Sequence, residues 1–176
     1  MKIKDMTKTA LGAALICILG PFSIPLPFSP VPISLTIFAI FIVVYAIGMK
    51  YGLIATALYL LIGLIGVPVF SNFTGGVTKL LGPTGGYMIG YLFVAFLSGL
   101  FIDRWKKWYL DVAGMAAGTL ICYLLGTIWL SKQAGMGFYA ALAAGVIPFI
   151  PADAVKIAVA ALIGPVIRKR LFSKLS

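Results

Sequence analysis

Two charges stand in an otherwise apolar stretch, "PFIPADAVKIAVAALIGPVI", where Asp153 is followed three residues later by Lys156. Three apart on a helix, they share one face. An ionisable group in a membrane span costs about 2.5 to 3.5 kcal/mol on insertion scales. The alternatives are an internal ion pair that offsets its own burial cost or a lysine that snorkels to an interface; because a purely structural pair would be costlier than two apolar residues, a polar ligand site near the outer end of its helix is favoured. Asp153 follows Pro151 closely, where the helix dipole favours an anion and where a carboxylate accepts N–H donors. Asn72, between Phe70 and Phe73, offers a carbonyl acceptor and two N–H donors suited to an amide or ureide; the alternative is an Asx-turn that shapes its loop. Phe70, Phe73, Tyr87 and Tyr91 are candidate pocket walls, and Lys79 is a candidate steering charge at the mouth. The glycines of "TGGVTKLLGPTGGY", Gly76 among them, let the backbone approach a ligand closely.

The same sequence excludes most other chemistry. It holds no histidine and no glutamate, which removes His-ligated metals, His general bases and paired-glutamate sites. One Asp–Lys pair is thin support for an enzyme, and no cofactor is expected. Cys17 and Cys122 each sit inside an apolar run and read as small packing residues. "GGVTKLLGPTGG" lacks the GK[ST] of a P-loop.

The elements that must position these groups follow from composition. Of 176 residues, 62% are apolar and 10% charged, and mean hydropathy is +1.12. That excludes a water-soluble domain and predicts an all-α integral membrane protein, a single domain over residues 1–176, with six transmembrane helices. The expected spans are 9–22, 31–49, 51–67, 87–102, 112–130 and 151–167, with a short extra helix, 137–146, before the last. "KYG" is expected to turn the second span into the third, and 68–86 to form a long loop. The prolines at 21, 25, 27, 30 and 32 predict an extended, irregular path.

The net charge of +10 would suit a nucleic acid only if it lined one solvated face. Instead it falls in clusters: Lys2, Lys4 and Lys8; Lys50; Arg104, Lys106 and Lys107; Arg168, Lys169, Arg170 and Lys174. With six spans, eleven basic residues share the side of the termini and two, Lys79 and Lys132, lie opposite, so both termini are expected to be cytoplasmic. The prolines and bulky groups after the first run do not form a signal-peptide cleavage pattern, so that run is expected to be retained. Small residues four apart, Ala10/Ala14, Gly86/Gly90 and Gly114/Gly118, suit close helix approach, within the chain or with a partner.

At "PVFSNFTGG", "GPTGGYMIGY" and "PFIPADAVKIAVAALI" the sequence resembles the BioY family, biotin-binding S components of ECF-type vitamin transporters. The resemblance spans essentially the whole chain. It implies a multi-pass protein of a prokaryotic cell membrane that binds biotin in an outward-facing pocket, with Asn72, Asp153 and Lys156 as polar contacts and Phe73, Gly76 and Tyr87 beside them. It also implies that Ala10 and Ala14 match the AxxxA motif that meets a transmembrane coupling subunit, with two cytoplasmic ATPases driving uptake. The alternative is a solitary carrier, for which a continuous polar path across several spans is expected. Alanine precedes Asp153 where many relatives are expected to carry glycine. Spacing leaves the ligand carboxylate between Lys156 and Lys79.

Overall fold

The computed structural model of the chain describes residues 3–105 and 107–173; Lys2, Lys106 and Lys174 of the basic clusters lie outside the described residues. Seven helices and one β-hairpin follow in the order α1 (Ile3–Leu19), β1 (Ser23–Leu26), β2 (Ser29–Ser34), α2 (Thr36–Leu64), α3 (Val77–Leu81), α4 (Gly85–Arg104), α5 (Trp108–Ala134), α6 (Phe138–Gly145) and α7 (Ile150–Ser173), with a 3₁₀ turn, Ile147–Phe149, leading into α7. Four helical stretches, α2, α4, α5 and 138–170, are long and apolar enough to cross a bilayer. Large apolar side chains such as Leu11, Leu58, Leu120, Leu124 and Leu162 point outward, as a lipid-facing surface requires.

α2 is two spans rather than one, because Gly48, at φ 80° and ψ 173°, breaks the helix in its middle. The chain doubles back there: a side chain built on Gly52 would meet Val44 Cγ2 at 2.8 Å, and one on Gly12 would touch both Val43 and Ala55. The reversal falls just ahead of the expected "KYG", at the residue whose missing Cβ permits a positive φ. With the two arms of α2 counted separately, the six spans are α1, 36–47, 49–64, α4, α5 and α7.

Asp103 staples the end of the molecule that carries the termini. Its Oδ2 accepts the Met49 N–H at 2.7 Å, its Oδ1 accepts Arg168 Nη2 at 2.7 Å, and Arg168 Nη1 donates to the Ile102 carbonyl at 3.3 Å. One carboxylate thus joins the α2 turn, the end of α4 and the end of α7.

The proline stretch is ordered, not irregular. Ser23 pairs with Ser34 and Ile24 with Ile33 in an antiparallel hairpin, with a register shift between Ile24 and Leu26. Proline is tolerated because each strand of a two-stranded ribbon has a free edge, where a missing N–H leaves no partner unsatisfied. The loop after α2 is likewise shorter than expected, since α3 lies within it and α4 begins at Gly85. α7 begins at Ile150, with Pro151 in its first turn, and runs on through Pro165 to Ser173.

α4 and α5 form the tightest helix pair, and their glycines explain why. Side chains on Gly90 and Gly118 would meet Cys122 Cα at 2.8 Å and Val94 Cα at 2.9 Å, backbone atoms that cannot move aside. Close approach of this kind is the main source of helix association where lipid removes the hydrophobic drive. Ala10 and Ala14, by contrast, lie on the exposed face of α1. We expect Gly90→Leu to destabilise the protein by about 1–3 kcal/mol through overpacking. Gly137→Ala, at φ −59° with open space around it, should change thermal unfolding in detergent little.

Candidate functional site

Asp153 and Lys156 meet at the end of the molecule opposite the termini. Lys156 Nζ lies 2.7 Å from Asp153 Oδ1, and both side chains are largely shielded, at 11% and 5% exposure. The second carboxylate oxygen, Oδ2, accepts the hydroxyl of Tyr123 from α5 at 2.5 Å. Both oxygens of the buried carboxylate are therefore hydrogen-bonded, as an anion removed from water requires. Lys156 has three N–H donors and Asp153 takes one, so the others remain for a ligand.

These groups line a cavity of about 30 Å³. β2 contributes Val31, Pro32 and Ser34, α2 contributes Ile37, and α4 contributes Tyr87 and Tyr91, one turn apart. Tyr123, Phe149, Asp153 and Lys156 complete the wall. Tyr87 is fixed in place: its hydroxyl donates to the Gly145 carbonyl at 2.8 Å, and its ring occupies the space a side chain on Gly126 would need. Ser34 is held by an Oγ to Thr36 Oγ1 bond of 3.0 Å. The result is one acid, one amine and three phenols in an apolar, aromatic enclosure, able to exchange hydrogen bonds with a polar ring while excluding water.

Of the residues singled out by sequence, Asp153, Lys156, Tyr87 and Tyr91 come together here. Asn72, Phe73 and Gly76 do not line the cavity. Asn72 sits at φ 61° and Phe73 at φ 54°, a left-handed pair at the tip of a turn closed by the Phe70–Thr74 bridge. The Asn72 Oδ1 accepts the Ser23 hydroxyl at 2.8 Å, its N–H donates to Ser23 Oγ at 2.9 Å, and Phe73 packs edge-on against Phe22 at 5.8 Å. The loop is thereby latched to the hairpin whose second strand walls the cavity. Gly76, at φ 94°, starts α3 and donates its N–H to the Gly63 carbonyl at 2.7 Å. Phe70 is buried against Tyr59, away from the cavity, and partly buried Lys79 lies on α3, where burial lowers its pKa from the ordinary lysine value. Sequence reasoning did not single out Tyr123, Ser34 and Phe149. The one signal for Tyr123 is a phenol amid the apolar residues of α5, which reads equally as packing.

The family model described as the BioY family matches residues 1–173. The chain belongs to the BioY family. Among curated BioY proteins, the biotin transporter of Thermotoga maritima is 40% identical over 95% of this chain and 97% of its own length. The probable biotin transporter of Pyrococcus horikoshii is 37% identical over 93% and 95%. A crystal structure of the S-component for biotin from an ECF-type ABC transporter matches with a TM-score of 0.87 and 34% identity, covering 95% of this chain and 92% of that one. In this chain that fold holds the buried Asp153–Lys156 pair described above.

The pair has a measurable signature. Lys156→Met should cost about 3–5 kcal/mol by stranding a buried carboxylate, whereas Asp153→Asn with Lys156→Met should recover most of that loss. Unfolding of the single and double variants in detergent measures this; equal losses would show that the two charges do not depend on each other.

Proposed function

We propose that this BioY chain is the substrate-binding S component of an ECF-type transporter. It is a multi-pass protein of a prokaryotic cell membrane that binds biotin for ATP-driven uptake by partner subunits, a transport subunit rather than an enzyme. The observation that carries the reading is the Asp153–Lys156–Tyr123 cluster in an aromatic enclosure, within a fold and sequence shared along their length with biotin transporters. A ureido ring presents two N–H donors and one carbonyl acceptor. Asp153 is suited to the donors, and Lys156, with N–H groups beyond the one given to Asp153, to the acceptor. Tyr87, Tyr91 and Phe149 are suited to the apolar parts of the ligand.

We assign Asn72, Phe73 and Gly76 to the latch above the pocket, whose opening admits the ligand, rather than to the floor. A volume of about 30 Å³ is that of one water, whereas small-molecule pockets run from about 300 Å³. The hairpin and the 67–76 loop must therefore part for a vitamin to enter. Ala10 and Ala14, on the open face of α1, are the proposed contact for the transmembrane coupling subunit, which works with two cytoplasmic ATPases. The basic excess supports a cytoplasmic stapled end and an outward-facing pocket.

Two measurements test the reading. Asp153→Asn should weaken biotin binding at least tenfold by calorimetry in a variant that still unfolds cooperatively; unchanged affinity removes Asp153 from the site. A Ser23→Cys/Asn72→Cys crosslink, with Cys17 and Cys122 replaced by alanine, should slow biotin association and reduction should restore it. An unchanged association rate would show that the ligand enters elsewhere.

A further inference from the structure

At the stapled end, a second and larger cavity of about 630 Å³ opens beside α5 and the end of α7, with Lys107, Trp108, Asp111, Arg168 and Lys169 in its wall. Asp111 is 5% exposed; its Oδ2 accepts the Tyr45 hydroxyl at 3.2 Å, but its buried Oδ1 has no hydrogen-bond partner among the described residues. A buried carboxylate oxygen in that state calls for a donor from outside the chain. With Arg168 paired to Asp103, Lys107 and Lys169 against Asp111 still leave the wall positive, which selects an anion.

Trp108 also lines a separate apolar groove of about 570 Å³ between α5 and α7, walled by Val112, Ala116, Ala154, Ala158 and Ala161. Both spaces border that indole. From Lys169 to Ala154 along α7 is about 22 Å at 1.5 Å per residue. One leaflet, about 15 Å of hydrocarbon and about 5–7 Å of headgroup layer, has the same depth.

We infer that this combined cavity and groove is a binding site for an anionic phospholipid with a hydroxylated headgroup, of the phosphatidylglycerol class. Lys107, Arg168 and Lys169 hold the phosphate, a headgroup hydroxyl donates to Asp111 Oδ1, Trp108 sits at the glycerol level, and one acyl chain fills the alanine-lined groove. The positive excess excludes a zwitterionic lipid as the preferred ligand. The site is at the opposite end of the molecule from the biotin pocket and does not depend on that assignment.

Native mass spectrometry of the purified full chain, titrated with phosphatidylglycerol, phosphatidylethanolamine, phosphatidylcholine or phosphatidylmethanol, tests it. Phosphatidylglycerol should bind at least fivefold better than each of the others, including phosphatidylmethanol, which keeps the charge and lacks the hydroxyls. Lys107→Ala with Lys169→Ala, and separately the exposed Ala158→Phe, should each abolish that preference while retaining the wild-type thermal midpoint in neutral detergent. The inference is overturned if phosphatidylcholine or phosphatidylethanolamine binds as well as phosphatidylglycerol. Equal binding of phosphatidylmethanol removes Asp111 from recognition and overturns the headgroup assignment. Displacement of the lipid by inorganic phosphate at comparable concentration would mark a simple anion site and overturn the lipid one.

Discussion

Everything at the ligand end depends on keeping a carboxylate hydrogen-bonded and reachable in a medium that penalises charge. Asp153 meets that constraint with Lys156 one turn along its own helix and the hydroxyl of Tyr123 across from it. The arrangement is neutral in sum, which limits its burial cost, yet strongly polar at close range. Its position in the first turn of α7 adds the field of the helix terminus. The break formed by Val146 to Phe149 exists to end one helix and begin another at this depth.

The rest of the fold fixes the geometry around that pair. Tyr123 can reach Asp153 only because α5 is held, and α5 is held by glycine contacts along α4 that bring backbone against side-chain stem. Tyr87 belongs to the same contact: its ring fills the notch at Gly126 while its hydroxyl holds the end of α6 at Gly145. Packing and site are one construction, because the residues that seal α4 to α5 also set the positions of two of the three phenols.

How much of this was legible in sequence varies with the kind of signal. Asp153 and Lys156 stood out because a charge in an apolar run has few meanings, and their spacing alone put them on one face. The span count was readable from hydropathy, and both glycine pairs from their spacing. Tyr123 was not readable, since a tyrosine in a membrane helix reads as packing until its hydroxyl is seen to have a partner on another helix. The hairpin was hidden because proline suppresses the local signal for strands, although two strands without neighbours tolerate it. Asn72 was legible as an unusual polar residue, but its latch to Ser23 joins positions 49 residues apart, and no local pattern encodes that contact. The turn at Gly48 lay close to the expected one; the charged neighbours drew attention to "KYG", whereas backbone freedom set the actual position.

The staple at Asp103 has a counterpart at the opposite end. Three segments gathered by one side chain tie the termini end together, while at the other end the hairpin and the loop are clasped through Ser23 and Asn72. The two ends therefore differ in kind: one is tied by an ion pair among helix ends, the other by hydrogen bonds between loops, and the second can part without separating a charged pair.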